Sequence, residues 1–246
     1  MGAVRLYTES DLATGLTVPL TAGQAHYLGN VMRMKIGDSV VLFNGRDGEW
    51  RASIAELRKK GGAASPTEQL RAQENGPDLW LLFAPVKRAR IDFIAEKATE
   101  LGVSAIAPVF TDNTAVSRVN EERLRTNAIE AAEQCGRLSV PDIQPAARLV
   151  QRLDDWPGDR RIMLCDETGN GAPVYDALAG HANGADPWAI LCGPEGGFSP
   201  AELDRLAENS IVTRISLGPR ILRADTAAIA ALACWQSTVG DWRNKA

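Results

Sequence analysis

Two histidines and four cysteines in 246 residues leave this chain short of the groups that usually hold metals or cross-link a fold. Cys135, Cys165, Cys192 and Cys234 stand far apart, form no C-x-x-C pair and sit in apolar stretches, so they read as small core residues. Disulfides and zinc are not expected. With only His26 and His181, a histidine-rich metal centre has no ligands, and no metal is expected. Long apolar runs are missing as well. Nothing approaches the roughly 18 consecutive apolar residues of a membrane span, so no membrane partner is expected. Residues Met1 to Leu6 carry no apolar signal core, and Leu6 stands where a myristoylation signal has Ser or Thr, which predicts a cytoplasmic location. The common catalytic signatures are absent too. Without G-x-G-x-x-G spacing, a P-loop lysine, a G-x-S-x-G elbow or H-E-x-x-H, the dehydrogenase, kinase, hydrolase and zinc-protease readings lose their support.

What is present is an ordinary globular composition, 45% hydrophobic and 24% charged, with a net charge of −4. That balance argues against a protein wrapped all over in nucleic acid and leaves room for a local basic face. Arg5, Arg33, Lys35, Arg46, Arg51, Arg58, Lys59 and Lys60 gather in the first quarter, and Lys87, Arg88, Arg90 and Lys97 follow. They form either a polyanion surface or simply solvated faces.

The texture divides near Glu74-Asn75-Gly76-Pro77-Asp78, which reads as a linker, giving domains 1–75 and 76–246. Before it, Ser39–Phe43, a turn at Asn44–Gly48 and the alternating Glu49–Leu57 predict a hairpin, and Lys59 to Pro66 predicts a second turn or loop. After it, strands and helices alternate. Strands are expected at Leu79–Val86, Val103–Phe110, Arg161–Cys165, Trp188–Cys192 and Ile211–Leu217. Helices are expected at about Ala89–Leu101, Glu121–Cys135, Pro173–Ala179, Pro200–Glu208 and Thr226–Val239. This is the pattern of an α/β domain with a parallel sheet, whose ligands sit at the carboxyl ends of strands. The last helix is apolar nearly all round, so it lies inside a core or against a second subunit.

Two strand ends carry unusual loops. Gly193-Pro194-Glu195-Gly196-Gly197-Phe198 precedes a helix start signalled by Ser199 as N-cap, Pro200 at the first position and Glu202 completing a capping box. Its glycines allow a close backbone approach to a ligand, or a plain tight turn. Leu217 to Thr226 is the second such loop.

These two loops resemble the RsmE family, the 16S ribosomal RNA uridine-N3 methyltransferases of the SPOUT superfamily. Further stretches of the resemblance are Lys97–Val103, Glu133–Arg137 with Pro141, and His26 to Arg33 leading to Gly37-Asp38. The resemblance implies an N-terminal PUA-like RNA-binding β-barrel and a trefoil-knotted α/β methyltransferase domain that binds S-adenosylmethionine and pairs as a homodimer through the knot. It also implies 16S rRNA or the small ribosomal subunit as partner. Leu191, Gly193, Glu195, Gly196, Gly197, Leu217, Gly218, Ile221, Leu222 and Arg223 are the implied donor-binding residues. Arg223 and Glu195 are the catalytic candidates, Arg223 as a cation for the developing uridine anion or as a partner of Asp225, Glu195 as a base or, preferably, as an element of loop structure. Arg5, His26, Arg33, Lys87, Arg88 and Arg137 are the candidate RNA contacts. A ribose 2′-O-methyltransferase and a non-catalytic RNA-binding module are the alternatives. Two departures stand out: Asp225 in place of Glu, and Asp112-Asn113-Thr114 in place of a basic residue followed by Ser. The second is expected to weaken an RNA contact without touching the donor loops.

Overall fold

The computed structural model describes residues 3–86, 88–181 and 186–243, residues 88 and 89 by their backbone alone. The described chain divides into two compact units. The first runs to Asn75 and also takes in Ala132–Val140, a return that the expected division at 75 and 76 does not contain.

In the first unit, β1 (Arg5–Tyr7), β2 (Val18–Leu20), β3 (Ser39–Phe43), β4 (Glu49–Arg58) and β5 (Gly61–Arg71) form one sheet in the order β1-β3-β4-β5-β2. The β3–β4 hairpin follows the alternation of the sequence, and Val40, Leu42, Ala52 and Ile54 point into a core shared with Leu6, Val18, Leu20 and Leu28. The loop expected from Lys59 to Pro66 is instead mostly strand, with the turn confined to Lys59-Lys60. Two residues that normally break strands are tolerated because the pairing slips there. Pro66 lies opposite Ala52 beside one register shift, and a Cβ on Gly62 would fall 2.4 Å from the Glu56 carbonyl oxygen beside another. A short helix α1 (Ala22–His26), capped reciprocally by Thr21 and Gln24, runs into a π-helical turn at Tyr27–Val31.

The second unit is a parallel sheet of β6 (Leu79–Phe83), β7 (Ala105–Phe110), β8 (Asp142–Ile143), β9 (Ala147–Arg148), β10 (Arg161–Cys165), β11 (Ala172–Pro173), β12 (Trp188–Cys192) and β13 (Val212–Ser216). Its order is β11-β13-β10-β12-β6-β7-β8, with β9 pairing β7. Between the strands run α2 (Arg88–Glu100), α3 (Glu121–Cys135), α4 (Leu149–Asp154), α5 (Val174–Ala179), α6 (Pro200–Ala207) and α7 (Ala224–Thr238). Central strands read as continuous apolar runs because both faces are covered. On one face Leu81, Met163, Ile190 and Cys192 pack with α2, α5 and α7 through Ile94, Leu178 and Leu232. On the other, Leu82, Leu164 and Leu191 pack with Leu149 of α4 and Leu206 of α6. The five long strands and five of the helices lie where the sequence predicts, within a few residues. Helix α4 and strands β8, β9 and β11 are too short to carry a periodic signal.

Candidate active site

The carboxyl ends of β10, β12 and β13 meet at one cavity of about 270 Å³. Because β10 lies between β12 and β13 in the sheet, three loops line it, Cys165–Gly169, Cys192–Glu195 and Ser216–Leu222, with Ala224 and Ala227 of α7. The first of these went unread in the sequence, although Asp166-Glu167-Thr168-Gly169-Asn170-Gly171 has the turn composition that marks such a loop.

The glycine loop is built from both ends. At its start Gly193 has no room for a side chain, since a Cβ there would lie 2.8 Å from the Phe198 ring. The Gly197 N–H donates to the Pro194 carbonyl at 3.0 Å, and φ at Gly197 is +68°. At its far end the predicted capping box forms: Ser199 Oγ accepts from the Glu202 N–H, and the Glu202 carboxylate accepts from the Ser199 N–H. Glu195 is bound by Arg90 at 2.6 Å, so it anchors the loop through an ion pair instead of backbone amides.

Four charged side chains line the cavity, the acids Asp166, Glu167 and Glu195 and the cation Arg220. The Asp166 side chain is buried, which opposes ionisation, but hydrogen bonds from Thr168 and Arg214 outweigh burial and hold its carboxyl below the ordinary range. Asp166 is thereby matched to Arg214, and Glu195 to Arg90. Glu167 has no ion pair among the described residues and accepts only the Phe198 N–H, at 3.3 Å. The wall therefore carries two charged groups without an ion pair among the described residues, the Glu167 carboxylate and the exposed Arg220 guanidinium, one to meet each sign of charge on a ligand. Beneath it the Cys192 thiol donates to Cys165 Sγ at 3.5 Å, and that contact together with burial pushes the Cys165 thiol well up. Cys165 therefore stays protonated, a packing group and not a nucleophile. Cys135, by contrast, is exposed, against its reading as a core residue.

Of the expected donor-binding residues, Gly193, Glu195, Leu217, Gly218, Ile221 and Leu222 line the cavity. Leu191 lies in the core below it, and Gly196 and Gly197 face Asn113 and Glu167. Arg223 is the N-cap of α7, an exposed side chain with no recorded partner among the described residues. The expected pairing of Arg223 with Asp225 does not form: one oxygen of Asp225 is buried without a hydrogen bond.

The fold is shared with known proteins. The chain matches the RNA methyltransferase domain family over residues 73–236 and the RNA methyltransferase PUA domain over residues 20–64. It is 34% identical over 230 residues to the ribosomal RNA small subunit methyltransferase E of Rickettsia conorii, covering 93% of each chain. The chain belongs to the ribosomal RNA small subunit methyltransferase E family. The Bacillus subtilis member is 29% identical, with 92% of this chain and 91% of that protein covered. Among solved structures, the Neisseria gonorrhoeae family member bound to S-adenosyl methionine superposes with a TM-score of 0.87 at 28% identity, covering 98% of this chain and 100% of that one.

For an RNA methyltransferase with a PUA domain, the basic residues matter next. The structure sorts them. Arg5 is not available to RNA: its guanidinium bonds Glu49 at 2.7 Å and the carbonyls of Ala132, Glu133 and Arg137, and it lies over the Phe43 ring. Arg46, Arg51 and Arg58 are exposed but paired with Asp11, Glu68 and Glu56. Arg33, Lys35, Lys59 and Lys60 are exposed without a recorded ion pair among the described residues. Arg33 takes φ +56°, the left-handed region, just beyond the π-helical turn, and His26 is exposed against Asn30 at 2.8 Å. Arg137 Nη2 bonds Ser139 Oγ at 3.2 Å. Lys87 lies outside the described residues, as does the side chain of Arg88. The departure at Asp112-Asn113 also needs correction. These residues do touch the donor loops, because Asn113 Nδ2 donates to the carbonyls of Gly196 and Gly197. No described helix is long and apolar enough to cross a membrane.

Proposed function

We propose that this chain transfers a methyl group from S-adenosyl methionine to N3 of a uridine in 16S ribosomal RNA. One observation carries the reading: three strand-end loops, including both loops of the family resemblance, converge on a single cavity. The residues suit that donor. At about 270 Å³ the cavity is near the lower end of the range for small-molecule sites. Leu217, Leu222, Ala224 and Ala227 offer apolar contact for a flat base, and Glu167 offers a negative charge for a cation. The bound donor supplies an electrophilic methyl group on a positively charged sulfur.

The protein's own contribution is mainly alignment, since an in-line displacement is accelerated most by holding the reacting atoms in register. The acceptor nitrogen must also lose its hydrogen. Arg223, exposed beside Leu222 and Ala224, is the candidate cation for the anion that results. Glu195, bound to Arg90, holds the loop and is not the base. N3 lies on the Watson–Crick edge, so the target uridine is unpaired or flipped out when it reacts. Arg33 and His26 of the first unit, with Lys35, Lys59 and Lys60, are the candidate RNA contacts, acting on phosphates.

A trefoil knot formed by the threaded strand-end loops and a homodimer packed through this domain complete the reading. It is supported by α7, where Ile229, Ala230, Ala233 and Cys234 remain half-buried on a helix of small residues, and by exposed Tyr175, Ile221 and Trp242. A ribosomal RNA substrate places the enzyme in the cytoplasm. Mapping N3-methyluridine in 16S rRNA from cells with and without the gene tests the reaction: the modification disappears with the gene if the proposal holds. An unchanged N3 pattern with a lost ribose methyl would establish the 2′-O alternative, and no change at all the non-catalytic one.

A further inference from the structure

The turn that follows β7, Thr111–Thr114, does not line the cavity, yet each of its four side chains makes a hydrogen bond. Thr111 and Thr114 lock the turn itself: the Thr114 N–H donates to the Thr111 carbonyl, the Thr111 N–H donates to Thr114 Oγ1, and the two hydroxyls lie 2.8 Å apart. The two residues between them reach outward to the glycine loop and its helix. The Asp112 N–H donates to Glu202 Oε1 at 3.0 Å, and Ser199 Oγ donates to Asp112 Oδ2 at 2.7 Å. Asn113 Nδ2 donates to the carbonyl oxygens of Gly196 at 3.0 Å and Gly197 at 3.1 Å. Glu167, a cavity-lining residue, accepts the Phe198 N–H.

A segment of two glycines has little intrinsic preference for one conformation, and ordering it costs backbone entropy. Something outside the loop must supply the constraint if the donor is to meet a preformed wall. Asn113 is placed to do so. Its amide spans two consecutive carbonyls of that segment, and a Cβ on Gly196 would lie 3.2 Å from the Asn113 Cβ, so a side chain there would press on Asn113.

We infer that Asn113 is a positioning residue for the methyl donor, holding Gly196 and Gly197 in the binding conformation from outside the cavity. This rests on the donor-pocket reading above. It assigns a role to the position where the chain departs from the family pattern: a residue with no need to touch RNA braces the loop instead.

The test compares wild type with Asn113→Asp, which keeps the shape and removes both donors, and with Asn113→Ala. Binding of S-adenosyl methionine is measured by calorimetry, and kinetics with small ribosomal subunits lacking the modification give separate KM values for donor and subunit. Losing two hydrogen bonds of modest net worth is expected to weaken donor binding about ten-fold or more. Donor KM should rise by the same factor in both variants, with the subunit KM unchanged and faster amide exchange confined to residues 193–198. Unchanged donor affinity would overturn the inference, as would a rise in the subunit KM alone. A fall in melting temperature with exchange accelerated throughout the unit would overturn it too, in favour of a general structural role. Failure of wild type to bind S-adenosyl methionine at all would instead overturn the donor-pocket reading itself.

Discussion

Residue identity alone did not separate arginines that build the fold from those that meet a ligand. Arg5 and Arg33 are both basic residues of the first quarter, but Arg5 is held by a carboxylate, three carbonyls and an aromatic ring, whereas Arg33 is exposed at a left-handed turn. Their substitutions should therefore separate. Arg5→Ala leaves Glu49 short of one buried partner and should cost about 3 kcal/mol, read by chemical denaturation, with little effect on RNA affinity beyond that loss. Arg33→Ala should leave the melting temperature within about 2 °C, and it should weaken RNA binding and reduce its salt dependence by about one counterion. At the other site, Arg223→Ala should lower turnover by ten-fold or more while calorimetric donor affinity changes little; equal losses would move Arg223 into the donor pocket. Glu167 makes a complementary case. As the acid of the cavity without an ion pair among the described residues, its replacement by Gln should weaken the cationic donor more than the demethylated, uncharged-sulfur product, and equal losses in calorimetry would remove it from that role.

At the scale of elements, local signals were legible wherever a short motif fixes its own geometry. Ser199, Pro200 and Glu202 specify a capped helix start through contacts three residues apart, and α6 begins there. Continuous apolar runs such as Trp188–Cys192 specify a strand buried on both faces, and β12 is one. The signals failed where non-local pairing wins. Gly61 to Pro66 carries turn residues, yet β4 recruits it as a strand by slipping register around the glycine and the proline. The glycine loop is the element most open to test. Gly197 has φ +68°, and a Cβ on it would fall 2.1 Å from Glu167 Oε1, so Gly197→Ala must displace either the loop or the acid. Donor binding should fall by at least ten-fold in calorimetry, with secondary structure by circular dichroism unchanged.

For the molecule as a whole, ionisation and assembly are the measurable quantities. Glu49 is the charged hub of the first unit: burial raises its pKa, but hydrogen bonds from Arg71 and Arg5 more than offset this and leave it below the ordinary value of 4.5. A carboxyl depressed in the folded state stabilises fully above the unfolded pKa and loses that contribution as pH falls through the folded pKa. Acid unfolding should therefore show a Glu49-dependent loss of stability below about pH 4.5, absent in Glu49→Gln. A homodimer would appear in sedimentation at micromolar concentration. Substituting half-buried Ala230 of α7 by Arg should shift it to monomer, and a monomeric wild type would defeat the assembly reading. By itself the sequence determined the class of the second unit, its long strands and helices, the capped glycine loop and the family resemblance, because each of these is written in spacings of a few residues. Only the tertiary structure decided that β10 stands between β12 and β13, which brings Asp166 and Glu167 into the cavity and makes a two-loop site a three-loop one. It likewise decided that Asn113 holds Gly196 and Gly197, and that Arg5 belongs to the fold. Those contacts join residues 31 to 132 positions apart, and nothing in local periodicity encodes which distant strand ends a parallel sheet will set side by side.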